Sequence, residues 1–211
     1  MRFTTVLIFL FLLATPSYAQ NTTLKTELIN AVAQFNMTGD NFENSNLASV
    51  FEKLAQSTPA KKEWISSYYL SLIYARLSAK NKKFADENAD KAVYWAKKSI
   101  EIEDNDENEC ALSMAYTMKM AVNPFLRWVS YEKNIYDPLN KAKKLNPTNP
   151  RIYIMEGSLS LNLPKLFGGG CNKAKPILLK AKQLLDKQTP QQVLPTWGKN
   201  HLEKLSATCP F

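Results

Sequence analysis

The chain has 211 residues, 45% hydrophobic and 22% charged, with 11 prolines and 6 glycines, a composition that excludes disordered and fibrous classes. Its formal charge is +8 at pH 7, with three cysteines and a single histidine, His201. The cysteines are too few for a disulfide framework, and one histidine argues against a His-rich zinc site or a Ser-His-Asp triad.

The N-terminus reads as a processing signal. Arg2 precedes an apolar run from Val6 to Ala14, and Ser17-Tyr18-Ala19 supplies small residues at a cleavage point. Cleavage is expected before Gln20, so residues 1–19 form the signal and residues 20–211 the mature chain. The apolar run is too short to span a bilayer. The expected compartment is the periplasm or the exterior, where disulfides are allowed. The mature chain is not expected to span a membrane.

In chain order, helices are expected over Thr22–Phe35 and Asn41–Gln56, then Lys61–Lys80, where Trp64, Tyr68, Leu72 and Ala75 share one face. Ala85–Ile102 follows, with Ala89, Ala92 and Ala96 on a stripe. Asp106, with Glu109 three residues on, suits a capping box for the helix Glu107–Ala121. Asn123-Pro124 ends that helix. Phe125–Leu145 is helical in pattern, but Pro138 sits inside it, and a kink or break is expected near Ile135 to Pro138. Asn146-Pro-Thr-Asn-Pro150 is a turn, and Pro150 suits the first position of the helix Arg151–Leu163. A loop over Lys165–Gly170 leads to the helix Asn172–Lys187. After a loop at Gln188–Pro195, Trp197–Ser206 is the last helix. No strand or hairpin signal is present.

Helix starts aligned on Trp64, Cys110, Tyr153 and Trp197 are spaced 46, 43 and 44 residues apart. Such a period points to stacked helical hairpins. Tyr153 and Gly157, then Ala174, Leu178 and Ala181, with Pro147 closing the preceding unit, resemble the tetratricopeptide repeat. Trp64 and Tyr68 with Ala92, Ala96 and Ser99 match it less closely. The units exceed that family's period by about ten residues. The Asn149–Tyr153, Phe167–Gly170 and Pro195–Gly198 segments also look like uncharacterised exported repeat proteins of Bacteroidetes-type bacteria. The resemblance implies an all-α, right-handed stack of antiparallel hairpins, a tetratricopeptide-like α-solenoid. Its expected divisions are a helix pair at 22–56, units at 60–106, 107–149 and 150–192, and a capping helix at 193–211.

By that resemblance, first helices line a concave groove. Lys62, Tyr69, Asn108, Lys119 and Arg151 are then candidate ligand contacts for a protein or peptide partner. Gly168, Gly169 and Gly170 precede a helix N-terminus and could bring amide donors to a small anion near Arg151. That is the alternative reading, a periplasmic solute-binding or transporter-accessory protein. Asp104 and Asp106 have calcium-loop spacing but lack the loop glycine. Glu63 and Glu156 are carboxylates that nothing in the sequence pairs. No catalytic residue, metal or cofactor is therefore assigned, and an exported chain is a poor nucleic-acid binder. The lysines on second helices, such as Lys97, Lys141 and Lys180, read as a solvated outer face. Cys171 begins one helix and Cys209 ends the next, antiparallel one, so the two should form a disulfide, leaving Cys110 buried and free.

Overall fold

A computed structural model describes residues 16–38, 46–57, 63–189 and 193–211. The described residues form α-helices and short 3-10 turns, with no strand among them. The helices are α1 (Pro16–Thr38), α2 (Leu47–Gln56), α3 (Trp64–Lys80), α4 (Ala85–Ile102) and α5 (Asp106–Ala121), followed by α6 (Pro124–Leu145), α7 (Pro150–Asn162), α8 (Cys171–Asp186) and α9 (Lys199–Thr208). Most of the expected signal lies outside the described residues, and α1 runs through the expected cleavage point.

The helices pack as hairpins, α3 with α4, α5 with α6 and α7 with α8, and α5 also packs on α3, α4 and α7. The second helix of each hairpin buries a triplet at i, i+4, i+7: Ala92, Ala96 and Ser99; Ile135, Leu139 and Ala142; Ala174, Leu178 and Ala181. That spacing aligns the three side chains on one helix face. Small members of the triplets let neighbouring helices approach closely. At Gly157 on α7, a Cβ atom would lie 2.4 Å from Leu178 Cδ2.

α3 is buried along almost its whole length, which makes it the central helix of the stack. Tyr69 stacks on Phe51 with ring centroids 5.3 Å apart and meets Phe35 edge-on at 4.9 Å. Such pairs add to the burial of apolar area.

Ion pairs and hydrogen bonds tie the hairpins together at both ends. At one end Lys119 and Arg127 bind Asp86, joining the α3–α4 and α5–α6 turns. At the other, Asn146 and Asn149 donate to Asp106, at 2.9 and 2.7 Å, and Arg151 pairs with Glu107. The first helices therefore run parallel to one another, and the turns within units share one edge.

Several boundaries differ from the sequence reading. Asn105, not Asp106, caps α5, accepting the Asn108 amide at 2.9 Å, because an Asn oxygen reaches the third helical amide from that position. Asp106 instead accepts the two asparagine amides across the turn. α6 passes through Pro138 without ending. Proline frees carbonyls in the preceding turn, and the Ser113 hydroxyl of α5 donates to the Ile135 carbonyl at 2.8 Å. α2 begins at Leu47, residues 41–45 lying outside the described set. α9 begins at Lys199 rather than Trp197, because Gly198 at φ +132° turns the chain into it.

Cys171 and Cys209 are disulfide-bonded with Cα atoms 5.4 Å apart, and Cys110 is a buried free thiol. Burial, then the Glu107 charge, pushes that thiol's pKa up, which makes it a poor nucleophile.

Candidate functional site

The sequence-derived candidates do not converge on one place. Lys62 lies outside the described residues. Tyr69 is in the core, its hydroxyl 3.5 Å from the Val193 carbonyl oxygen. Burial raises its pKa well above the usual phenol range. Asn108 is buried and donates its side-chain amide to the Glu103 and Ser99 carbonyls, holding the loop before α5. Lys119 is engaged by Asp90 at 2.6 Å and Asp86 at 3.2 Å.

Arg151 is buried against Glu107, with its Nε 2.7 and 2.8 Å from the two carboxylate oxygens. It also donates to the Gln188 side chain and the Trp197 carbonyl. The glycine loop lies at the other end of α7, roughly 20 Å away at 1.5 Å per residue, so the structure does not bring Arg151 and Gly168–Gly170 together. The amides of Gly168, Gly169 and Gly170 donate to the carbonyls of Lys165, Pro164 and Ser160. Those donors are occupied by the turn itself. Asp104 is paired with Lys141, which also binds Glu109, and no metal-ligating cluster is found among the described residues.

A different set of residues does converge. A cavity of about 440 Å³ opens where α3 and α5 face the C-terminal segment. Leu72 and Ala75 of α3, Met114 and Met118 of α5, and Phe35 of α1 supply its apolar wall, and Trp197 adds an indole. Met114 and Met118 are four residues apart, as are Leu72 and Arg76, so each pair shares a helix face. Arg76, Lys199, His201 and Lys204 join Asn36, Thr196 and Asn200 in the polar part of the lining. The Arg76 guanidinium lies over the Phe35 ring at 4.1 Å. An apolar cavity of this size with a few converging polar groups is how small-molecule sites are built.

The C-terminal segment closes this cavity, and a defined network holds it. Val193, Leu194 and Trp197 pack against the α3 cluster. The Trp197 indole donates to the Tyr68 hydroxyl at 2.7 Å, and that hydroxyl donates to Glu107 at 3.2 Å. Arg151 completes the circuit by donating to the Trp197 carbonyl. At Gly198 a Cβ would lie 2.6 Å from Ile154 Cδ1, so glycine permits both the backbone turn and the close approach. The disulfide ties the far end of α9 to α8. His201 and Lys204 are therefore presented from a helix fixed at both ends.

His201 is solvent-accessible yet set within the cavity. Desolvation there, with the charges of Lys204 and Arg76, lowers its pKa below the ordinary 6.5. That lowering favours the neutral imidazole, the form that donates a nitrogen lone pair to a metal.

Among solved structures, the fold is similar to the HusA haemophore from Porphyromonas gingivalis. The TM-score is 0.77 at 26% identity, over 90% of this chain and 94% of that chain. No protein-family model matches the chain, and no curated protein matches it. No described helix is long and apolar enough to cross a membrane.

Sequence reasoning missed Arg76, His201, Lys204 and the two methionines. The i, i+4 pairing of Met114 with Met118 was readable. Their meeting with α9 was not, because it depends on how residues 193–198 fold back over α3.

Proposed function

We propose that this chain is an exported, non-catalytic binding protein of tetratricopeptide-like architecture, and that the α3–α5–α9 cavity takes a haem-class ligand. The carrying observation is the composition of that cavity: a methionine- and indole-lined wall, with Arg76, Lys199, Lys204 and the chain's sole histidine also in its lining. This chemistry suits a flat apolar ring bearing carboxylates. The wall would hold the ring, Arg76, Lys199 and Lys204 would meet the carboxylates, and neutral His201 would face the iron. The likeness to a haemophore supports the same ligand class. A protein or peptide lying along the concave face would have to displace Val193, Leu194 and Trp197 from their packing on α3. A small ligand in the existing cavity needs no such displacement.

The test is titration of the mature chain with haemin and with metal-free protoporphyrin, followed by Soret absorbance and tryptophan quenching. Saturable binding of both, weakened by Lys204→Glu, supports the reading, and a spectral change on His201→Ala in the haemin titration alone assigns the iron contact. No saturable change with either porphyrin sinks it.

A further inference from the structure

We infer that the edge carrying the turns within units is a docking surface for a phospholipid bilayer with anionic headgroups. This inference is independent of what the cavity binds.

The turns within units fall on one edge because the first helices run parallel. The Lys119–Asp86 and Arg127–Asp86 pairs join two of these turns directly, and the parallel course of α7 adds the third. Large apolar side chains project into solvent from each. Phe84 is 44% exposed in the α3–α4 turn; Phe125, Leu126 and Val129 are 94%, 70% and 86% exposed at the start of α6; Leu166 is 89% exposed in the α7–α8 turn. Phe125 and Val129 are four residues apart and share a helix face. The other exposed large apolar side chains among the described residues, Tyr94, Leu145 and Leu179, lie far apart in the sequence. Phe125, Leu126 and Val129 are neighbours at the start of α6, and a clustered exposed apolar patch of that kind marks an interaction site.

Charge decides the kind of partner. Of the carboxylates near this edge, Asp86 is engaged by Arg127 and Lys119, Asp90 by Lys119, and Glu87 by Lys91. Lys82 and Lys83 sit beside Phe84, with the Lys83 ammonium over its ring at 5.2 Å. Lys165 sits beside Leu166, and Lys173 follows on α8. The edge thus offers aromatic and aliphatic side chains interleaved with cations. Interfacial membrane binding uses that pairing: apolar groups enter the acyl boundary while lysines meet the phosphates. A protein partner would ask for a broad continuous apolar face, and this edge offers one small patch, at the start of α6, flanked by single projections at Phe84 and Leu166.

The experiment is co-sedimentation of the mature chain, residues 20–211, with phosphatidylcholine vesicles with and without phosphatidylglycerol. Binding is expected to the anionic vesicles and to weaken with added salt. The variants Phe125→Ser/Val129→Ser and Lys82→Glu/Lys83→Glu should each reduce it roughly tenfold or more. These side chains are exposed, so the variants should keep the helical circular dichroism of the parent. Absence of sedimentation with anionic vesicles overturns the inference, as does binding that both variants leave unchanged. So does a dimer of the parent, seen by light scattering, that Phe125→Ser/Val129→Ser dissociates, since the edge would then belong to a second copy of the chain.

Discussion

Arg151 opens the third hairpin and Glu107 the second, and they meet in a buried ion pair whose guanidinium Nη2 lies 2.6 Å from the carboxylate. The pair joins consecutive units and, through Tyr68 and Trp197, the segment that closes the cavity. Burial pushes the Glu107 carboxyl up, and Arg151 opposes that shift. Arg151→Met leaves the carboxylate buried with, among the described residues, the Asn149 amide and Tyr68 hydroxyl as its remaining side-chain donors. The expected loss is about 3–5 kcal/mol in denaturant unfolding. Arg151→Met combined with Glu107→Leu should recover much of it, because no unpaired charge remains. If the double variant is as unstable as the single one, the pair's role is not electrostatic.

Gly157 and Leu178 set the spacing of the third hairpin. The Cβ of an alanine at 157 would meet Leu178 at both Cγ and Cδ2, and Leu178 is itself fully buried. The side chain has little room to turn away. Gly157→Ala should destabilise by about 1–3 kcal/mol despite alanine's better helix propensity. Adding Leu178→Ala to that variant should relieve the clash, measured as a favourable coupling in a double-mutant cycle.

How far the sequence carried this reading depended on the range of the interaction. The hairpins were legible because Ala92, Ala96, Ser99 and Ala174, Leu178, Ala181 repeat the same local spacing. Ile135, Leu139 and Ala142 continue the pattern but were masked by Pro138, which usually ends a helix. Here Ser113, from a neighbouring helix, bonds a carbonyl in the opened turn. The disulfide was legible because it follows from antiparallel neighbours. The cavity was not, since His201 and Met114 lie 87 positions apart in the chain and meet only after residues 193–198 fold back. The groove expectation placed Tyr69 and Asn108 on a surface. α3 and the start of α5 are instead covered on more faces than a simple solenoid would cover.

The Cys171–Cys209 bond closes a sequence separation of 38 residues. A loop of that size contributes about 3–4 kcal/mol in the chain-entropy model. Cys209→Ser should lower the unfolding midpoint accordingly. Because α9 carries Lys199, His201 and Lys204, the same variant should also weaken haemin binding while the parent hairpins remain folded. Hydrogen exchange that rises in α9 and not in α3 would show the loosening is local.

Asp86 holds two turns together through Arg127 and Lys119. Those hydrogen bonds, Arg127's foremost, pull its carboxyl down to about 2 from the ordinary 3.8. A carboxyl depressed in the fold stabilises above its unfolded value and loses that contribution as pH falls through the folded one. The window is therefore about pH 4 down to pH 2. Asp86 is partly exposed, so solvent screens the effect to below about 1 kcal/mol. Asp86→Asn should flatten the acid limb of the stability curve in that window and leave stability above it lower by the same small amount.

His201 gives the sharpest test of the proposed ligand. Its pKa is lowered in the fold by desolvation first and then by Lys204 and Arg76. The fold thus favours the neutral ring. Its contribution to stability is present above pH 6.5 and declines as pH falls through the lower folded value. Haemin affinity should follow the same course, level at neutral pH and falling in acid below the ordinary imidazole range, because protonation removes the lone pair that faces the iron. Lys204→Met removes one of the charges that depress the pKa, so the fall should begin at higher pH. His201→Ala should abolish the acid step and leave protoporphyrin binding nearly unchanged. A haemin profile in the His201→Ala variant that superimposes on the parent's would exclude the iron contact, while leaving the apolar wall as the binding element.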